Sequence, residues 1–260
     1  MWNMRILVLG GTGLTGPFLV RRLHQLGHEV TVFHRGEHET ELPVGVRRLR
    51  GNPAQPPEEL RRLAPDVVVH MWAMTEAVAQ SFLACFRGAA SRAVVMSSCD
   101  VYRAYGRLQR IESGAPDAIP IAEDGPLRES RYPYSKMGRD DGPAWMRQYD
   151  KILVEQALAA QSDLPVTILR YPAVYGPGDG YHRFRAWLQQ MDAGSEVRVQ
   201  DTYARWRWTH GYVENVAGAA VLAVTNGRAA GRIYTWGKRI RHPWRSASRS
   251  WAGRSAGRAA

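Results

Sequence analysis

Residues 6–16 read ILVLGGTGLTG, an apolar run that ends abruptly in glycines. Gly11, Gly13 and Gly16 fit GxGxxG, and Gly10, Gly13 and Gly16 fit GxxGxxG. PFLVRRLHQLG follows with helical spacing of its apolar residues. A strand, a glycine turn and a helix in this order make a phosphate site. Bare backbone lets a pyrophosphate approach, and the helix offers free N–H groups and the positive end of its dipole. Gly10, Gly11, Thr12, Gly13, Leu14, Thr15 and Gly16 are therefore expected to hold a dinucleotide. The competing reading is a tight turn that needs positive φ.

The pattern continues beyond the turn. HEVTVF (28–33), VRRL (46–49), DVVVHMW (66–72), RAVVMSS (92–98) and PVTILRY (165–171) read as strands. Residues 14–26, 56–63, 75–87, 145–161, 182–191 and 213–224 read as helices. Apolar strands alternating with helices predict an α/β fold, a Rossmann-type doubly wound parallel sheet covered on both faces. Ligands of such sheets lie beyond the carboxyl ends of the strands. On that ground the strand-end residues His70, Trp72 and Ser97 join the expected cofactor set. Residues 103–144, rich in Pro, Gly and charge, read as an irregular insertion over one face.

Composition sets bounds on partners. The chain has 260 residues and a formal charge of +11, and residues 238–260 carry seven Lys/Arg and no acid. Without that segment 28 basic residues face 24 acidic ones, so the charge does not describe a nucleic-acid-binding domain. The segment itself reads as a disordered tail or an out-of-frame extension. No apolar run approaches the ~20 residues of a membrane span. Two cysteines and an N-terminus that reads as a buried strand point to a reduced, cytoplasmic protein. His34 and His38 with Glu37 lack a third spaced ligand, so no metal is expected.

Seven segments, GGTGLTG, GHEVTVF, DVVVH, VVMSSCDVY, KILVEQAL, PVTILRYPAVYGPGD and GYVENVAGAA, occur in an order that resembles the extended short-chain dehydrogenase/reductase family, in its NAD(P)-dependent epimerase/dehydratase branch. The resemblance covers about residues 4–236. It implies a Rossmann domain over 1–172, a small C-terminal substrate lobe over 173–237 that looks truncated, a small-molecule substrate and a homodimer. An acid at the end of the second strand would select NAD. This chain has His34 and Arg35, and a guanidinium there suits the 2′-phosphate of NADP.

The resemblance also implies a Ser/Thr, a Tyr and a Lys that move a proton at the substrate oxygen. Ser98 fits the first role, and Lys151 the last, where it would also hold the cofactor ribose. The residue four before Lys151 is Arg147, not tyrosine. Tyr149 is taken as the tyrosine, although on a continuous helix it would sit roughly 200° from Lys151 and face the core. Lys151 has a second reading, a surface ion pair with Glu155. Tyr132 and Lys136 have the right spacing, but Pro133 interrupts them and Gly138, Gly142 and Pro143 follow. Asp100 lies where dehydratase-like members carry an acid, but it is read as a plain loop aspartate. Pro172 to Val174 would line the nicotinamide. In TYARWRWTHGY, Arg205 or Arg207 on an alternating strand would hold an anionic substrate, stack RNA or face solvent. The expected function is an NADP-dependent epimerase, dehydratase or reductase acting on a hydroxyl or carbonyl carbon, such as that of a sugar or nucleotide-sugar. The alternative is a non-catalytic dinucleotide sensor or RNA-binding protein on the same fold.

Overall fold

Valine dominates the central strands, with leucine and isoleucine beside it, because both faces of each are covered, which the structure shows directly. The computed structural model describes residues 3–38, 40–135, 143–201, 204 and 209–237. Seven strands form one parallel sheet: β1 (Arg5–Leu9), β2 (Glu29–His34), β3 (Arg47–Arg50), β4 (Val67–His70), β5 (Arg92–Ser98), β6 (Val166–Tyr171) and β9 (Ile233–Thr235). Their order is β3-β2-β1-β4-β5-β6-β9, so the chain winds outward from β1 in both directions. The crevice where that order reverses lies between β1 and β4, at the glycine turn.

Period-two alternation splits the strand residues between two cores. Leu7, Leu9, Val68 and Val95 face α2 (Glu76–Phe86) and α4 (Lys151–Ala159). Ile6, Val8, Val69 and Val94 face α1 (Gly16–Gln25) and α6 (Val213–Thr225). The segment expected to form a second lobe therefore returns α6 and β9 to the main sheet. The rest of that segment holds β7 (Ala173–Tyr175), paired in parallel with β8 (His210–Tyr212), and α5 (Arg185–Asp192). Ala204, expected on a strand, instead bonds its amide to the Gln200 carbonyl in a helical turn. Arg205 and Arg207 lie outside the described residues, as do Lys136 and the basic segment 238–260.

Among the described residues the irregular insertion does contain one helix, α3 (Arg103–Leu108). Apolar packing of Ile121 and Leu127 on Tyr102 and Ile152, together with ionic contacts, braces the described part around it. Arg103 and Arg107 share Asp117, and the fully buried Arg128 reaches Asp150 at 3.4 Å. Asp150 also corrects the helix expected over 145–161. Its Oδ1 accepts the Ile152 amide at 2.9 Å, and its Oδ2 accepts the Tyr132 amide at 2.8 Å. As N-cap it starts α4 at Lys151, and its extended backbone separates α4 from the 3-10 turn Ala144–Gln148. The helix expected over 56–63 is likewise a 3-10 turn, Glu58–Leu63.

Candidate active site

The glycine turn is shaped by contacts a side chain would destroy. A Cβ on Gly16 would stand 2.3 Å from the Gly11 carbonyl oxygen, and one on Gly11 would stand 2.9 Å from Val8. Gly10 has φ +81 and donates to the Phe33 carbonyl at 2.9 Å. Gly13 differs: a Cβ there would meet nothing, so the space in front of it is open. Helix α1 begins at this opening with no side-chain cap on its N-terminus and no acid in its first turn. Open backbone, free N–H groups and an uncompensated dipole fit the pyrophosphate of a dinucleotide. Leu14 packs beside Val174, Val213 and Val216, which brings β7 to the edge of the turn. Pro172 is buried beneath it, 2.9 Å from where a Gly211 Cβ would lie.

The end of β2 gathers positive charge. Arg35 lies 5.0 Å over the Trp72 ring and pairs with Glu37 at 2.8 Å. His34 is held below its ordinary pKa by burial first and then by Arg48 and Arg50. The parallel register sets Arg50 beside His34, and the Arg50 guanidinium packs against Gly36. Arg50 was not singled out from the sequence; the run RRLR in a strand parallel to β2 was the available signal.

Four segments meet at the carboxyl ends of β4 and β5. Lys151 is 4% exposed, and its Nζ donates to the carbonyls of Ala73 at 2.6 Å and Met96 at 2.9 Å. Burial pushes its pKa down to about 8, although Asp100 and Glu155 pull it up. Because the chain is extended at Tyr149 rather than helical, the 200° separation does not apply. The Tyr149 ring centroid stands 5.8 Å from Lys151 Nζ. The Tyr149 hydroxyl donates to Asp100 Oδ2 at 2.7 Å, and so does Tyr134, at 3.0 Å. Burial and the Asp100 charge hold the Tyr149 phenol well above its ordinary range, with a hydrogen bond from Ser98 acting the other way. Ser98 also accepts the Asp100 amide at 3.2 Å. Ser98, Asp100, Tyr149 and Lys151 thus form one cluster. Asp100 is no plain loop aspartate; it is 5% exposed and central to the cluster.

Other expected residues lie elsewhere. The surface pair of Lys151 with Glu155 is absent, because Glu155 is buried and holds Arg170 at 2.7 Å and the Ser97 hydroxyl at 2.5 Å. Ser97 therefore points its hydroxyl into the core. The His70 side chain is also turned inward, with its ring 5.1 Å from Phe82 and, among the described residues, no partner on Nε2. Burial, with Lys151 nearby, pushes its pKa down to about 3, so it is neutral. Trp72 does line the crevice, between Arg35 and the Trp145 ring at 5.6 Å. Tyr132 is exposed. Tyr134 and Tyr105 were missed, and nothing in their spacing pairs them with Asp100. Beyond β7, a cavity of about 500 Å³ is lined by Gly176, Gly178, Asp179, His182, Arg183 and Arg185. Among the described residues no group of His, Cys, Asp or Glu is placed to hold a metal, and no helix is long and apolar enough to cross a membrane.

A doubly wound sheet with an open glycine turn at its switch point defines a dinucleotide-binding protein. The particular family follows from comparison. The model of the NAD dependent epimerase/dehydratase family matches residues 6–237, and the chain belongs to that family. It is 31% identical to the 2'-dehydrokanamycin reductase of Streptomyces kanamyceticus over 94% of this chain and 64% of that one. It is 30% identical to the dTDP-4-dehydro-6-deoxy-D-allose reductase of Streptomyces bikiniensis over 75% of this chain and, again, 64% of the relative. The chain thus spans less than two thirds of the length of either reductase. Among solved structures, the NAD-dependent NDP-hexosamine 5,6-dehydratase TunA matches with a TM-score of 0.69 at 22% identity, covering 98% of this chain and 82% of that one. WbmG of Bordetella bronchiseptica, solved with NAD and UDP, matches with a TM-score of 0.67 at 19% identity, over 97% and 79% of the two chains. Identities this low carry the fold alone.

Proposed function

We propose that the chain is an NADP-linked reductase of the epimerase/dehydratase family, acting on a ketone carbon of a sugar or nucleotide-sugar. The observation that carries the reading is the cluster of Ser98, Tyr149 and Lys151 at the strand ends beside the glycine turn. When bound, the nicotinamide supplies the hydride taken up by the substrate carbon. The chain's own residues manage the substrate oxygen. Ser98 accepts the Asp100 amide, and its one proton, which meets the Tyr149 oxygen in this structure, turns to orient that oxygen when a substrate is bound. Tyr149 gives the oxygen its proton, and the Lys151 ammonium steadies the charge that forms on the phenol. Lys151 is held for this by two backbone carbonyls.

The choice of NADP rests on the charge around the ribose end. Arg35 is braced by Trp72, and Arg48 and Arg50 add positive charge near His34. A 2′-phosphate would be met by charge-assisted bonds that the ribose hydroxyl of NAD cannot make. The relatives' substrates favour the sugar reading, since both named reductases act on dehydro-sugar compounds by their names.

Calorimetric titration with NADP and NAD, followed by NADPH oxidation with a dTDP-4-keto-6-deoxyhexose and a 2'-dehydroaminoglycoside, tests this. NADP binding at least ~10-fold tighter than NAD, worth about 1.4 kcal/mol, and turnover of one of the ketones are expected. Arg35→Ala should erase the preference. Equal affinity for both dinucleotides would refute the NADP choice, and NADP binding without turnover would refute the reductase.

A further inference from the structure

Asp100 has no duty in the proton chemistry just described, yet two phenols converge on it. Tyr149 and Tyr134 donate to the same oxygen, Oδ2, at 2.7 and 3.0 Å. The other oxygen, Oδ1, is buried and has no hydrogen-bond partner among the described residues. A third phenol continues the chain, with Tyr105 Oη 3.0 Å from Tyr134 Oη. Tyr134 already gives its proton to Asp100, so Tyr105 must be the donor in that contact. Tyr105 belongs to α3 and is half-buried, whereas Asp100 and Tyr149 are almost fully enclosed. The hydrogen bonds therefore run unbroken from the enclosed corner to the protein surface.

We propose that Asp100 is the proton store behind Tyr149, refilled from solvent through Tyr134 and Tyr105. The inference rests on Tyr149 as the acid of the proposed reductase. In the protonated state Asp100 Oδ2 carries the proton and the Tyr149 oxygen accepts it, the reverse of the bond in this structure, which turns the phenol proton toward the ketone. As the ketone oxygen takes that phenol proton, the Asp100 O–H bond breaks and its proton passes to Tyr149. The Asp100 carboxylate then takes the Tyr134 proton, Tyr134 takes that of Tyr105, and Tyr105 takes one from water. One proton is consumed per ketone reduced, and the two electrons come from the reduced nicotinamide. In the reverse direction the same bonds carry the hydroxyl proton out. Without the store, a buried phenolate would be left beside a buried carboxylate, and like charges that close are costly.

The groups facing Asp100 fit this role. Burial raises its pKa, while Tyr149, Arg128, Tyr134 and Lys151 each act to lower it. Arg128 spends its Nε on the Asp100 carbonyl oxygen at 2.5 Å, and one of its terminal nitrogens on Asp150, so it does not neutralise the carboxylate directly. Cys99 is pushed up to about 12 and Tyr105 is raised, so both stay protonated at neutral pH.

The test uses the full chain labelled with carboxyl-¹³C aspartate. Asp100→Asn identifies the Asp100 resonance. It should titrate above the ordinary aspartate range, and Tyr134→Phe and Tyr149→Phe should each move it further up by removing a donor to the charged form. A resonance that titrates with the surface aspartates, or ignores both substitutions, overturns the proposal. The second readout is NADPH oxidation with the dTDP-4-keto-6-deoxyhexose. Asp100→Asn should lower kcat about 100-fold or more, within the range of acid–base catalysis, and remove the pH dependence of kcat, with NADP affinity unchanged. Tyr134→Phe, which keeps the carboxylate, should slow turnover and enlarge the solvent isotope effect. An Asp100→Asn variant with the wild-type pH profile overturns the store. If the wild-type chain turns over no ketone, the reductase reading fails, and the carboxyl titration alone decides whether Asp100 holds the proton.

Discussion

The glycine turn and the corner around Lys151 are built on opposite principles. The turn is seven consecutive residues, Gly10 to Gly16, whose shape is fixed by backbone contacts, such as Gly16 against the Gly11 carbonyl. The corner draws Ser98 from the end of β5, Asp100 from the turn that follows it, Tyr134 from the insertion, Tyr149 from the extended residues before α4, and Lys151 from the first position of α4. Side-chain hydrogen bonds join these pieces across 34 to 55 positions of sequence. A site made of backbone tolerates almost no change at its glycines but needs no distant partner. A site made of side chains depends on whatever holds its segments in place, here above all Asp150. The difference predicts where each will fail.

The largest effect is expected at Gly16. Its Cβ would meet backbone, which cannot move aside as a side chain can. Gly16→Ala should give a chain that does not reach the native fold, read as loss of the cooperative urea transition. Asp150→Ala should come next. It removes the N-cap of α4, the anchor of the Tyr132 amide and the partner of the fully buried Arg128. Breaking one side of a buried ion pair costs about 3–5 kcal/mol, and the urea midpoint should fall accordingly. A loss under ~1 kcal/mol, the cost of a cap alone, would show that Arg128 finds its partners without Asp150.

Gly13→Ala separates fold from ligand within the turn itself. Its Cβ would touch no protein atom, so stability should change by no more than ~0.5 kcal/mol, as at a surface site. If the open space belongs to the pyrophosphate, NADP affinity should fall at least ~10-fold, or about 1.4 kcal/mol. Unchanged affinity would place the dinucleotide elsewhere.

The same contrast explains what was legible in the sequence. The sheet could be read because strands covered on both faces need apolar residues at nearly every position, and VVVH and RAVVM show that. The turn could be read because positive φ at Gly10 and close approach at Gly16 leave few residues able to serve. The start of α4 was misplaced because apolar periodicity runs through Trp145 and Tyr149 into Ile152 without a visible break. The break comes from Asp150, a good N-cap residue whose role needs Arg128 and Tyr132 to complete it. His70 and Ser97 stand at strand ends as expected, yet alternation turns their side chains inward. Asp100, Tyr134 and Tyr105 form a chain that only the tertiary fold assembles.

The smallest effect tests how deeply the corner is buried. Lys151 has its pKa pushed down to about 8 inside the fold, against an ordinary value near 10.4 in the unfolded chain. Between those two values the unfolded chain holds a proton that the folded chain lacks. Stability should therefore rise with pH across that window and be flat in this term below it. From pH 8 to 9.5 the gain attributable to Lys151 is about 2 kcal/mol at most, at 1.36 kcal/mol per unit. Cys85 and Cys99, raised to about 11 and 12 by burial, work against it above pH 9. Those thiols are present in Lys151→Met as well, so the difference between the two chains isolates the lysine. Urea midpoints at pH 7 and 9.5 should rise for the wild-type chain relative to Lys151→Met. Parallel midpoints would mean that Lys151 keeps its ordinary pKa, and that the two carbonyls and Asp100 compensate its burial in full.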